Sequence, residues 1–155
     1  MSTFEGYWGF PRNARIAIIA ARFNQGITTR LVEGSQETLT RLGAPQDAID
    51  LVWVPGTFEI PGCAARLYDR YDGIITLGAV IRGETPHFDY VAGTAASAVA
   101  ALAARGEKPV IFGILTCNTP EEAEARAGGK AGNKGSDAAL AVVEMLTLYQ
   151  NLSGA

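Results

Sequence analysis

Four short runs dominated by isoleucine, valine and alanine constrain this chain more than any other feature. They are Arg15–Arg22 (RIAIIAAR), Ile49–Val54 (IDLVWV), Gly73–Ile81 (GIITLGAVI) and Pro109–Thr116 (PVIFGILT). A strand with one face in water alternates apolar and polar residues. A run apolar on both faces suits a parallel sheet covered by helices on each side. Helical periodicity fills the intervals. Thr28–Leu42 carries Leu31, Val32, Leu39 and Leu42, with Gly43 as terminator, and Pro61–Tyr71 opens on a first-turn proline. Pro86–Arg105 aligns Val91, Ala95, Val99 and Leu102 ahead of Gly106. Thr119-Pro120-Glu121-Glu122 has the form of a capping box opening a short helix to about Ala127, and Lys134–Asn151 carries Leu140, Val143, Leu146 and Leu148. Alternation of this kind requires right-handed crossovers. The expected architecture is α/β: a three-layer α/β/α sandwich around a four-stranded parallel sheet, one domain over residues 13–155 behind an aromatic tail over residues 1–12. The glycine-rich stretch Gly128–Gly135 reads as a flexible contact loop.

The net charge of −3 offers no basic field for nucleic acid, so any anion must be caught by a few placed cations or backbone N–H groups. Met1–Arg12 has no signal pattern, and no apolar run reaches the ~20 residues of a membrane span. A cytoplasmic protein with no membrane contact is expected. Cys63 and Cys117 each lie in an apolar stretch and read as buried reduced thiols. One histidine and no cysteine pair at ligand spacing argue against a metal site.

Ligands of parallel sheets bind beyond the carboxyl ends of the strands. Four such regions carry unusual residues. In Arg22-Phe23-Asn24, Phe23 is either a lid on the core or a platform for a flat heterocycle. In Val54-Pro55-Gly56-Thr57-Phe58-Glu59-Ile60-Pro61, Glu59 either favours the positive end of the next helix or accepts from a ligand. The third, Gly78 to Tyr90, says most. Gly83 permits close backbone approach, Thr85 suits an N-cap and Pro86 the N1 position, so the helix start favours a phosphate. His87 falls beside it, as a structural residue or as a proton carrier. In the fourth, Phe112 is most simply core, and Arg126 is either solvated or a fork for a phosphate dianion.

Taken in order, Arg22-Phe23-Asn24, Trp53 to Pro61, Gly78 to Tyr90, Phe112 to Thr116, and Arg126-Ala127-Gly128 through Gly132-Asn133-Lys134-Gly135 resemble the 6,7-dimethyl-8-ribityllumazine synthase family over nearly the whole chain after the tail. The resemblance implies a flavodoxin-like fold with sites between subunits of a pentamer. It implies condensation of 5-amino-6-(D-ribitylamino)uracil with 3,4-dihydroxy-2-butanone 4-phosphate, with no cofactor. Carried over by position, Phe23 stacks on the pyrimidine. Thr57, Phe58 and Glu59 hold the ribityl chain and ring, and Ala79, Val80 and Ile81 form the opposite rim. Glu84, through its backbone, and Thr85 hold the phosphate; His87 is the general acid/base. Phe112 and Arg126 reach in from a neighbouring chain, and Lys134 is an auxiliary cation. Thr57 stands where alanine or serine is frequent in the family, and Pro86 where threonine is common. The turn Gly129 to Lys134 lacks an insertion, which resembles members that build sixty-subunit particles. Two other readings fit such a scaffold: a flavin- or lumazine-binding module, and a pentameric riboflavin synthase acting on two lumazines.

Overall fold

The Ile/Val-rich runs form four parallel strands in the computed structural model, which describes residues 1–154. These are β1 (Ile16–Ala21), β2 (Ile49–Val54), β3 (Gly73–Ile81) and β4 (Val110–Cys117), ordered β2-β1-β3-β4. The register sets Ile16 opposite both Ile49 and Gly73, and Ile74 opposite Val110. All of β1 and most of β3 are buried, whereas β2 is only half-buried from Ile49 to Trp53. Their positions explain the difference: β1 and β3 have a strand on each side, and β2 is an edge.

Helices cover both faces, as a sheet apolar on both sides demands. On one face Leu31, Val32 and Leu39 of α1 (Gln25–Arg41) pack with Ala138, Ala139, Val142 and Val143 of α5 (Lys134–Ser153) against Ile16, Ile18, Ile75 and Leu77. The short α4 (Pro120–Ala125) joins this side through Ala123. On the other face, α2 (Ile60–Leu67) and α3 (His87–Ala103) place Ile60, Ala64, Ala95 and Val99 on Ala17, Ile19, Ile74 and Ile114. The result is the three-layer, flavodoxin-like sandwich expected from the sequence.

Several local expectations change. The first helix starts at Gln25 rather than Thr28, because Asn24 takes a left-handed turn (φ 61°, ψ 42°) directly after the strand. The expected helix Pro61–Tyr71 is α-helical only over Ile60–Leu67 and tightens to a 3₁₀ turn at Tyr68–Arg70. The stretch read as a flexible loop holds a two-stranded hairpin, β5 (Ala127–Gly129) with β6 (Gly132–Asn133), whose positive φ values fall on Gly128 and Gly132. At α4, Thr119 Oγ1 accepts from Glu122 N–H at 3.2 Å, but the Glu122 carboxylate accepts from Asn118 N–H rather than Thr119 N–H. The reciprocal half of the cap is therefore displaced by one residue. Both cysteines are free thiols, Cys117 buried and Cys63 half-buried. Burial pushes both thiols up.

The amino ends of the strands are tied together by side chains. Arg15 pairs with Asp50, which also accepts from the Tyr71 hydroxyl at 2.7 Å. That bond and then burial raise the Tyr71 phenol above its ordinary range. The tail crosses α5, where Thr147 Oγ1 accepts from Tyr7 N–H at 2.7 Å and donates back to the Tyr7 carbonyl at 3.0 Å. These ties leave the carboxyl ends of the strands to the loops. No helix among the described residues is long and apolar enough to cross a membrane.

Candidate functional site

At the carboxyl ends of β1, β2 and β3 lies a cleft of about 720 Å³ lined by Phe23, Thr57, Phe58, Glu59, Ala79, Val80, Ile81, Thr85 and His87. Nine of the expected site residues thus meet in one concavity, although they come from the carboxyl end of β3 and the segments that follow β1, β2 and β3. It straddles the point where the chain switches direction across the sheet, from β1 to β2 on one side and to β3 on the other.

Each wall has a local cause. The β1 loop is held by two main-chain bonds, Arg22 N–H to the Val54 carbonyl and Phe23 N–H to the Pro55 carbonyl. Asn24 then turns left-handed, one of the few side chains that tolerate this, and its Nδ2 donates to the Ala79 carbonyl at 2.8 Å. Phe23 is left 72% exposed over the cleft, so it is no lid on the core. Asn24 is a positioning residue absent from the expected set. Asn24→Gly loses only this side-chain tie, whereas Asn24→Ala also pays for the left-handed backbone. Asn24→Ala is expected to be less stable than Asn24→Gly by about 1 kcal/mol, read from urea midpoints.

In the β2 loop, Thr57 is buried and Phe58 is exposed. The Thr57 hydroxyl lies 2.7 Å from where a Cβ on Gly78 would stand. Glycine at position 78 lets this loop settle onto β3. The Thr57 hydroxyl is thus held against β3 at Gly78. Glu59 sits at the N-cap position of α2 without a side-chain capping bond, which leaves its exposed carboxylate free to accept from a ligand.

The β3 loop differs from expectation by one residue. Pro86, not Thr85, holds the N-cap position, and α3 begins at His87. Thr85 Oγ1 instead accepts from His87 N–H at 3.4 Å, which keeps the hydroxyl beside the helix start. Glu84 is exposed and does not line the cleft with its side chain. Phe88 and Tyr90 do line it, although neither was singled out from the sequence.

Among the described residues, no lysine or arginine lines this cleft. The remaining expected residues, Phe112, Arg126 and Lys134, share a separate hollow of about 400 Å³ beside β4, with Ile114, Thr116, Cys117 and Asp137. Arg126 terminates α4 and spends one guanidinium donor on the Glu122 carbonyl at 3.0 Å. Lys134 N–H bonds the Arg126 carbonyl at 2.8 Å, so the hairpin brings the two cations to one place. Phe112 is half-buried, not fully core. The Cys117 thiol, raised by burial, is partly drawn back down by Arg126. Among the described residues, no three His, Cys, Asp or Glu side chains gather as metal ligands.

Residues 13–150 match the family described as 6,7-dimethyl-8-ribityllumazine synthase. A protein of that name from Thermus thermophilus is 51% identical over 144 residues, covering 92% of each chain. Another, from Nautilia profundicola, is 49% identical over 154 residues, covering 98% of this chain and 100% of the relative.

Proposed function

From the premise that this chain belongs to the 6,7-dimethyl-8-ribityllumazine synthase family, we propose that its site is assembled from two copies, one giving the cleft and its neighbour the cations. The reaction is the condensation of 5-amino-6-(D-ribitylamino)uracil with 3,4-dihydroxy-2-butanone 4-phosphate, which yields the lumazine, phosphate and water. One observation carries the two-copy reading. The cleft holds the residues for a flat ring and a helix start for a phosphate, yet no cation lines it, while Arg126 and Lys134 share a hollow of their own. A helix terminus supplies roughly half an elementary charge and a phosphoryl group carries nearly two. The arginine fork of a neighbouring copy supplies the balance. Because cleft and hollow are different surfaces of one chain, the contact is head-to-tail, the kind that closes into a ring when the rotation from copy to copy completes a full turn. A pentameric ring, or a sixty-subunit particle made of such rings, is the assembly this geometry serves.

Within that site, Phe23 stacks on the pyrimidine. Thr57 and Phe58 offer backbone groups and Glu59 a carboxylate to the ribityl hydroxyls and ring N–H groups. Ala79, Val80 and Ile81 form the facing rim. Thr85 and the Glu84 amide hold the phosphate, with Arg126, and Phe112 closes the ring pocket from the neighbour's side. Lys134 adds a second positive charge. An amine condenses with a ketone, phosphate is eliminated, and the ring closes with loss of water. Each step moves a proton near neutral pH, a task suited to the imidazole of His87 at the helix start. Amine–ketone condensation is undemanding in water, so orientation of two bound reactants supplies much of the rate.

Incubation with both substrates is expected to generate the lumazine chromophore, and native mass measurement to show closed oligomers. No lumazine from the two substrates, or a monomer at assay concentration, removes this reading.

A further inference from the structure

The loop from Arg82 to Pro86 has little internal bonding, yet its Gly83 and Thr85 line the cleft. What spans it is the Arg82 side chain. Its main-chain N–H is bonded to the Cys117 carbonyl at 2.8 Å. Its Nε donates to Asn118 Oδ1 at 3.1 Å, and its guanidinium lies over the Phe88 ring, 4.4 Å from the centroid. Its third contact, to Asp89 at 3.5 Å, is long and exposed and contributes little alone. The guanidinium therefore links the end of β3 to the loop after β4 and to the first turn of α3, at Phe88 and Asp89 next to His87. Arg82 itself does not line the cleft, whereas Phe88 does.

We propose that Arg82 is a positioning residue that staples the β3–α3 loop, through Asn118 and the Phe88 ring, in the conformation that binds the phosphorylated substrate. This role rests on the phosphate site proposed for Glu84 and Thr85. A planar guanidinium suits the task because it stacks on an aromatic face while donating in its own plane. Lysine cannot do both.

The test compares Arg82→Ala, Arg82→Lys and Asn118→Ala with the native protein. In Arg82→Ala the KM for the butanone phosphate is expected to rise about tenfold, the scale of one lost charge-assisted hydrogen bond. The KM for the aminouracil should stay within about twofold, with assembly mass and melting temperature retained. Asn118→Ala is expected to shift in the same direction, and Arg82→Lys to fall between alanine and arginine. An unchanged phosphate-substrate KM in Arg82→Ala overturns the proposal. So does a native value in Asn118→Ala beside a raised one in Arg82→Ala, which would mean that the guanidinium touches phosphate itself. Full recovery in Arg82→Lys would reduce the role to charge. Calorimetric titration with inorganic phosphate separates this inference from the proposed reaction. If the native protein makes no lumazine, the reaction fails, and equal phosphate affinity in native and Arg82→Ala protein still overturns the staple.

Discussion

Subunits carrying His87→Ala, mixed with subunits carrying Arg126→Ala, are expected to recover about a quarter of native activity, far above either variant alone. Alone, His87→Ala should fall by roughly 10–10²-fold, at or below the low end of the ~10²–10⁴ that a positioned acid/base usually contributes, because amine–ketone condensation needs little proton help and oriented binding survives the loss. Arg126→Ala should fall at least as far, because a bound phosphate would lose its bidentate partner. Each variant damages a different surface: His87 lines the cleft, and Arg126 lies in the hollow beside β4. In a head-to-tail ring, a cleft from an Arg126→Ala subunit facing a hollow from a His87→Ala subunit is whole. Random equimolar mixing makes half of the clefts intact and half of their neighbours intact, so about one site in four is complete.

The measurement is the rate of lumazine formation by co-expressed, differently tagged subunits, with native mass spectrometry to show that rings contain both. Mixed rings with no gain over the single variants would place both residues in one chain's site and end the two-copy reading. A site complete within one chain predicts no recovery at any mixing ratio. That makes the experiment more decisive than the loss seen in either variant.

The architecture was legible because burial on both faces leaves a compositional mark. Runs such as IAIIAA and GIITLG have no alternation to confuse with a half-exposed strand, and they became β1 and the buried part of β3. Boundaries were less legible where a single backbone conformation decides them. Asn24 gives no periodic signal, yet its left-handed turn starts α1 three residues early. Gly128 to Gly132 reads as slack chain, because the positive φ values that fold it into a hairpin look the same in composition as flexibility. In the site, the loop residues were identifiable from their place after strands, and Phe23, Thr57, Glu59, Thr85 and His87 do converge. The isolation of Arg126 and Lys134 from that cleft was not readable from loop position, which puts all four regions at one end of the sheet. Arg82 and Asn118 gave no signal at all, since their effect depends on a contact between the ends of neighbouring strands.

The cationic hollow depends on a joint that tolerates almost no added volume. Gly135→Ala is therefore expected to destabilise the fold by about 3 kcal/mol or more. A Cβ at Gly135 would stand 1.9 Å from the Leu31 carbonyl oxygen and 2.9 Å from its Cα, so the obstacle is the backbone of α1, not a side chain able to swing aside. Relief requires α1 and α5 to separate, which opens the packing of Leu31 against Ala138, Ala139 and Val142. The same joint holds the α5 cap. Asn133 Oδ1 accepts from Gly135 N–H at 2.8 Å and Ser136 N–H at 3.2 Å, while its Nδ2 donates to the Arg30 carbonyl at 3.0 Å. Lys134 lies between the cap and Gly135, and its N–H is the group bonded to Arg126. Separation of the helices thus moves both cations. Gly62 of α2 is the control, since a Cβ there meets nothing within 4 Å, and Gly62→Ala should stay within about 1 kcal/mol of native. Urea midpoints measure both variants, and a Gly135→Ala protein as stable as native would show that the two helices are not held at this distance. Where Gly135→Ala folds at low temperature, it should behave in subunit mixing as Arg126→Ala does, regaining activity with His87→Ala partners and none with Arg126→Ala.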